Sequence, residues 1–207
     1  MPSPQPLVYV IDDEAPIRDS LAMLLRSVGL ASSLFSDAPS FLAVAPWHEH
    51  ACVIADVRMP GMSGLELQET LRSRGAALPV IIVTGHGDIG MAVRAMKNGA
   101  ADFIEKPFNG QVLLDAVHRA LAQAAVPPAS AATAAAGDRE DLERRIASLS
   151  PREREVMALV ADGLPNKTVA TRLDLSTRTV EVHRAKVMEK MGARSLAELV
   201  RMNIAAG

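Results

Sequence analysis

Several residues capable of chemistry stand at the ends of short apolar runs in the first half of this 207-residue chain. LVYVI leads into Asp12 and Asp13, CVIA into Asp56, VIIV into Thr84, and DFIE into Lys106. Carboxylates gathered in one place repel one another unless a cation neutralises them or their protonation shifts. An oxygen-only set suits a hard ion such as Mg²⁺ (or Mn²⁺), which keeps several waters and takes one or two carboxylates plus a phosphate. The Lys106 ammonium and the Thr84 hydroxyl are groups that stabilise the equatorial oxygens of a transferring phosphoryl group. Asp56, alone at the end of its run, is the natural nucleophile, and the Asp12–Asp13 pair is left to hold metal. Solubilising residues at strand ends would account for one such position, not for four together.

These side chains meet only if the runs are parallel strands of one sheet with their carboxyl ends side by side. The pattern of residues 1–124 supports that arrangement. Helical spacing over Pro16–Val28, Ser36–Val44, Gly64–Arg74, Asp88–Asn98 and Asn109–Ala124 alternates with strand-like LVYVI, ASSLF, ACVIAD, PVIIVT and DFIE. Val- and Ile-rich central runs with little alternation are those of strands covered on both faces. The expected class is α/β, a doubly wound, five-stranded parallel sheet.

Residues 125–137, AVPPASAATAAAG, carry no charge and read as a linker. Asp138–Leu149 follows as a short amphipathic helix with Leu142, Ile146 and Leu149 on one face. Linker and connecting helix together occupy 125–145, and a small all-α domain fills 146–207. Ser150-Pro151-Arg152-Glu153 is a capping box opening a helix to about Asp162, which Gly163 ends. Asn166 can cap a helix through Leu173, and Ser176 or Thr177 a longer one through Met191, stopped by Gly192. Ser195 and Glu198 make a second capping box, opening a helix through Asn203.

The net charge of −2 hides an asymmetry: residues 1–122 sum to −4, whereas 164–194 sum to +4. A basic pair of helices joined by a short turn is the outline of a helix-turn-helix, whose second helix lies in the major groove. Val180, Val187 and Met191 should face the core of that module. Glu181 could accept from a cytosine amino group and Val182 touch a thymine methyl. Lys167, Thr168, Thr177, Arg178, Thr179, Arg184, Lys186 and Lys190 read as phosphate contacts, which give affinity and register more than sequence choice. Other candidates carry less. Cys52, the single cysteine, lies in an apolar run and reads as a core residue. His48 and His50 lack a third ligand and read as solvated loop. No apolar stretch approaches a membrane span and the N-terminus lacks a basic leader, so a soluble cytoplasmic protein without membrane attachment is expected.

The strings VIDDE, DVRMPGMSG, VTGHGD and IEKPF together resemble the receiver domain of two-component response regulators. With PNKTVATRLDLSTRTVEVHRAKVMEKM, the chain resembles the FixJ/NarL class, whose output domain is a LuxR-type helix-turn-helix. The resemblance implies a flavodoxin-like receiver in which Asp56 accepts phosphate from a sensor histidine kinase (FixL-like). It also implies Mg²⁺ held by Asp12, Asp13, Asp56 and the backbone carbonyl of Arg58, and a cis Lys106–Pro107 bond. Lys106 would pair with the phosphoryl oxygens, while Thr84 and Phe103 would turn inward as the switch. Arg58 and His86 would tune the lifetime of the acyl phosphate. Homodimerisation through helix 88–98 and strand 102–105, promoter binding and activation of RNA polymerase would follow. The chain would then be no enzyme beyond its own phosphorylation and slow dephosphorylation. A Mg²⁺-dependent phosphohydrolase would need the same carboxylates and a second acid/base group, for which no candidate stands out.

Overall fold

A computed structural model describes residues 5–85, 89–125 and 131–206. It divides into two compact units, residues 1–86 with 98–127 and residues 87–97 with 128–207.

The first unit is built on a parallel sheet of β1 (Leu7–Ile11), β2 (Ala31–Phe35), β3 (Ala51–Asp56), β4 (Val80–Thr84) and β5 (Asp102–Glu105), in the order β2-β1-β3-β4-β5. The order runs in both directions from β1, so the switch point falls between β1 and β3. Register aligns Ile11 with Ala55 and Asp56 with Val83, which brings the strand ends level. Strands β3 and β4 are buried at every position, as continuous apolar runs require.

Helices α1 (Ala15–Ser27), α2 (Ala38–Leu42), α3 (Gly64–Ser73) and α5 (Gly110–Ala125) connect or follow these strands. Helix α5 drives Leu113, Leu114, Val117 and Leu121 into the core beside Val8, Val10, Ile54 and Ile81. Each such side chain contributes about 2 kcal/mol through burial. Helix α2 is shorter than the expected 36–44 because Asp37 starts it: its Oδ1 accepts from Ser40 N at 2.8 Å. Cys52 is buried in β3, and burial pushes its thiol up to about 12. His48 is fixed by its backbone N–H, which donates to the Tyr9 hydroxyl at 3.0 Å.

The second unit holds α4 (Ile89–Lys97), α6 (Ala131–Ala147), α7 (Pro151–Ala161), α8 (Asn166–Leu173), α9 (Thr177–Met191) and α10 (Leu196–Ala206). Within it α4 packs on α10, and Lys97 Nζ lies 3.0 Å from Asp162 Oδ1. Leu149, Val156, Val160, Val169, Val180, Val187, Met191 and Leu199 form the core. Most of the punctuation read from the sequence is present. Ser150 and Glu153 close a full capping box, Ser176 caps α9, and Gly163 and Gly192 lie just past helix ends at φ +86° and +65°.

Three readings change. Helix α6 begins at Ala131, inside the segment read as linker, because an alanine run combines the highest helix propensity with a flexible-looking composition. Asn166 does not cap α8; Pro165 holds the N-cap position without a side-chain bond. The Ser195 box is half made: Ser195 Oγ accepts from Glu198 N, but Glu198 Oε2 accepts from Arg194 N instead of closing on Ser195. Among the described residues no helix is long and apolar enough to cross a membrane.

Candidate functional site

Asp12 continues β1, with its N–H donating to Phe35 O at 3.2 Å, and is 3% exposed. Asp56 closes β3 and is 6% exposed. Between them stands Lys106, beyond β5. Its Nζ donates to Asp12 Oδ2 at 2.7 Å and to Asp56 Oδ1 at 2.9 Å. The remaining carboxylate oxygens take backbone donors: Glu14 N to Asp12 Oδ1 at 2.9 Å, and Arg58 N to Asp56 Oδ2 at 2.6 Å. Every carboxylate oxygen of the pair therefore has a donor, and each has a lone pair to spare. Burial alone pulls the Lys106 ammonium down, but hydrogen bonds and charge from Asp12 and Asp56 outweigh it and hold it above the ordinary lysine range.

The convergence of three carboxylates is not what forms. Among the described residues no three Asp, Glu, His or Cys side chains gather as a metal-sized group. Asp13, just past the end of β1, is exposed. Two carboxylates and one ammonium make the buried centre.

Three of the other candidates, Thr84, Phe103 and Arg58, lie among the described residues. Thr84 is wholly buried at the end of β4, and its carbonyl accepts from Lys106 N at 2.7 Å. Phe103 is buried in β5, one strand over from Ile82. Arg58 is exposed next to the crevice, and the Lys106–Pro107 bond is cis. His86 lies outside the described residues.

Two participants escaped the sequence reading. Arg18 Nη1 on α1 donates to Asp12 O at 2.6 Å, tying the first loop to the helix after it. Gly64, the first residue of α3, sits so close to the end of β3 that a Cβ there would lie 2.4 Å from Asp56 O. Its place in MPGMSG was the available signal.

In the second unit, α8 and α9 are joined by a turn in which Asp174 is left-handed at φ 53°. Leu175 N donates to Ala170 O at 2.9 Å, and Arg152 Nη2 donates to Leu173 O, binding α7 to the end of α8. Val180, Val187 and Met191 are buried, as their spacing requires. Lys167, Thr168, Thr177, Arg178, Glu181, Val182 and Lys186 are exposed on the helix pair.

The other three polar candidates have partners within the unit. The Thr179 hydroxyl bonds Ser176 Oγ at 2.7 Å. Arg184 Nη1 donates to Asn166 Oδ1 at 2.6 Å, fixing α9 to the start of α8; burial lowers its pKa against the opposing charge of Glu181. Lys190 Nζ lies 2.6 Å from the buried Glu153 Oε2, and this pairing, with the Ser150 N–H, holds the glutamate at about 2.

Two family models match the chain. Residues 8–118 match the response regulator receiver domain family, and residues 147–203 match the bacterial regulatory proteins of the luxR family. The chain is 49% identical to the transcriptional regulatory protein FixJ of Bradyrhizobium diazoefficiens, over 97% of this chain and 95% of that one. It is 46% identical to the C4-dicarboxylate transport transcriptional regulatory protein DctR of Rhodobacter capsulatus, over 94% and 98%. Among solved structures, full-length FixJ from B. japonicum is similar at 48% identity and a TM-score of 0.57, covering 97% of each chain.

Proposed function

Because the chain belongs to the two-component response regulators, as a FixJ-like transcription regulator with a receiver domain and a LuxR-type DNA-binding domain, we propose that phosphorylation of Asp56 switches its binding to promoter DNA. The observation that carries this reading is the shared ammonium. Lys106 is held by the two carboxylates and is poised to follow a phosphoryl group once one is attached.

The donor is a sensor histidine kinase, FixL-like in type. An Asp56 oxygen attacks phosphorus, the bond from phosphorus to the kinase imidazole breaks, and an acyl phosphate remains on Asp56. Arg58 N and Lys106 Nζ fix the carboxylate before attack, which places the nucleophile without reorganisation at the moment of reaction. The acyl phosphate carries roughly −1.5 to −2 charges where the carboxylate carried one, and it projects them further into the crevice on three acceptor oxygens. Lys106 then pairs with the phosphoryl oxygens, and the buried Thr84 hydroxyl turns toward them with Phe103. Arg58, exposed beside Asp56, tunes the lifetime of the group, and the same role is assigned to His86 from the sequence.

The residues fit a hard divalent cation. Asp12 and Asp56 offer oxygen donors with free lone pairs, and the Arg58 backbone carbonyl and the exposed Asp13 would complete the set, directly or through water. Mg²⁺ bound there supplies positive charge against the phosphoryl oxygens.

Residues 1–124 form the receiver domain, 125–145 the connection and 146–207 the DNA-binding domain. Phosphorylation favours dimerisation through α4 and β5. Since α4 packs on α10, that dimer has to replace this packing. Two copies bring α9 to paired half-sites, where Glu181 and Val182 face bases. Lys167, Thr168, Thr177, Arg178, Thr179, Arg184, Lys186 and Lys190 meet phosphates. RNA polymerase is then recruited in the cytoplasm. Relatives of comparable identity are named for nodulation and for C4-dicarboxylate transport, so the fold is shared across different signals.

The test is Asp56→Asn. Light scattering and duplex binding, each with Mg²⁺ and acetyl phosphate, should show dimerisation and tighter DNA binding in the native chain and neither in the variant. A variant that still responds would falsify the mechanism.

A further inference from the structure

Helix α6 connects the receiver's last helix to the DNA-binding module, and its carboxyl-terminal half is built into that module. Leu142 and Ile146 pack against the core around Val187 and Met191. Arg145 Nη1 donates at 2.7 Å to Met191 O, one of the last carbonyls of α9, which have no partner within their own helix. A cation at that end also meets the negative pole of the helix dipole.

The guanidinium is held in place from behind. Arg145 Nε and Nη2 both lie 2.7 Å from Asp141 Oδ2, one turn earlier on α6. Gly192 leaves room for it: a Cβ there would come within 2.6 Å of Arg145 Nη1. A second tie lies alongside, where Lys190 Nζ donates to Ser148 O at 3.2 Å, just past the end of α6. The carboxyl end of the proposed reading helix is thus fastened to the connecting helix by polar bonds and packing together.

We propose that Arg145 is a positioning residue through which α6 sets the placement of α9. A displacement passed down α6 on phosphorylation is then delivered to the DNA-reading helix instead of being absorbed in a slack connection. This rests on the phosphorylation-switched DNA binding proposed above. It adds that dimerisation is not the whole signal. Arg145 itself need not touch DNA, so its effect appears in the response to phosphate and not only in affinity.

The experiment uses the full chain and a labelled duplex selected from a randomised pool by the acetyl phosphate-treated native protein. Affinity is measured with and without acetyl phosphate and Mg²⁺ for the native chain, Arg145→Gln, Arg145→Lys and Asp141→Asn. Phosphate-affinity gels check that Asp56 is modified equally in all four. The expected result is a tightening on phosphorylation that shrinks at least threefold in Arg145→Gln and by a smaller factor in Asp141→Asn. Arg145→Lys, which can still reach the carbonyl, should recover part of it.

A merely stabilising side chain would weaken both states equally and leave the ratio intact. An unchanged ratio in Arg145→Gln, or in Asp141→Asn should the first variant not fold, overturns the proposal. A native chain that does not respond to acetyl phosphate overturns the functional reading itself, and this inference with it.

Discussion

Replacing Gly64 by alanine tests how closely α3 is fitted against the proposed phosphoacceptor, Asp56. The new Cβ would stand 2.4 Å from Asp56 O and 3.0 Å from Asp56 C, both backbone atoms. A flexible side chain could step aside; a strand end bonded on either flank cannot. Val57 N donates to Val83 O at 3.0 Å, and Gly64 N donates to Val57 O at 3.3 Å, so strand and helix start are already tied. Opening the contact to a tolerable distance demands a shift of at least about half an ångström, and overpacking of this kind costs about 1–3 kcal/mol. The gain from a stiffer unfolded chain, about 0.4–1 kcal/mol, offsets only part of it. Because the displaced atoms belong to Asp56, the reaction suffers as well. A misplacement of about 1 Å can cost about 100-fold, so phosphorylation by acetyl phosphate should slow about tenfold. Trp47, the single tryptophan, stacks on Phe41 and reports urea unfolding of the first unit. Phosphate-affinity gels follow the rate. Native stability together with a native rate would refute the reasoning.

Two further outcomes follow from the polar centres. Lys106→Gln removes the cation that Asp12 and Asp56 share, leaving two buried carboxylates to seek another; Mg²⁺ should bind several-fold more tightly by calorimetry, and weaker binding would contradict the shared-ammonium account. Glu153 is held at about 2 against an ordinary 4.5. Its contribution to stability is complete above the ordinary value and is lost as pH falls from there toward 2. Circular dichroism melts across that window should show a shallower acid loss in Glu153→Gln than in the native chain; equal slopes would remove Glu153 as the cause.

What could be read from the sequence was what is local or periodic. Strands β3 and β4 are continuous apolar runs because both faces are covered, and their end residues came with them. The capping residues Ser150 and Ser176 sit next to the helices they start. Features that depend on a tertiary approach were not legible. Nothing in a pair of adjacent aspartates says that Asp12 turns to Lys106 while Asp13 remains exposed. Arg184 and Lys190 looked like free cations on a basic helix. Their partners Asn166 and Glu153 lie 18 and 37 residues away and become neighbours only when the helices pack. The early start of α6 was hidden by composition, since alanine runs serve both helices and linkers.

Those long-range polar pairs share a further property. Lys106 joins residues 94 and 50 positions away, so the centre exists only when β1, β3 and β5 are all in register. Glu153 with Lys190, and Arg145 with Met191, likewise require three helices to be docked at once. A buried charge without its partner is costly, so a partly assembled version of either centre is worse than none. Apolar packing tolerates approximate geometry; these bonds do not. The chain thus places its least tolerant contacts at the crevice proposed to receive phosphate and at the carboxyl end of the helix proposed to read DNA. A displacement at either place therefore breaks whole bonds, where displaced apolar side chains lose contact by degrees.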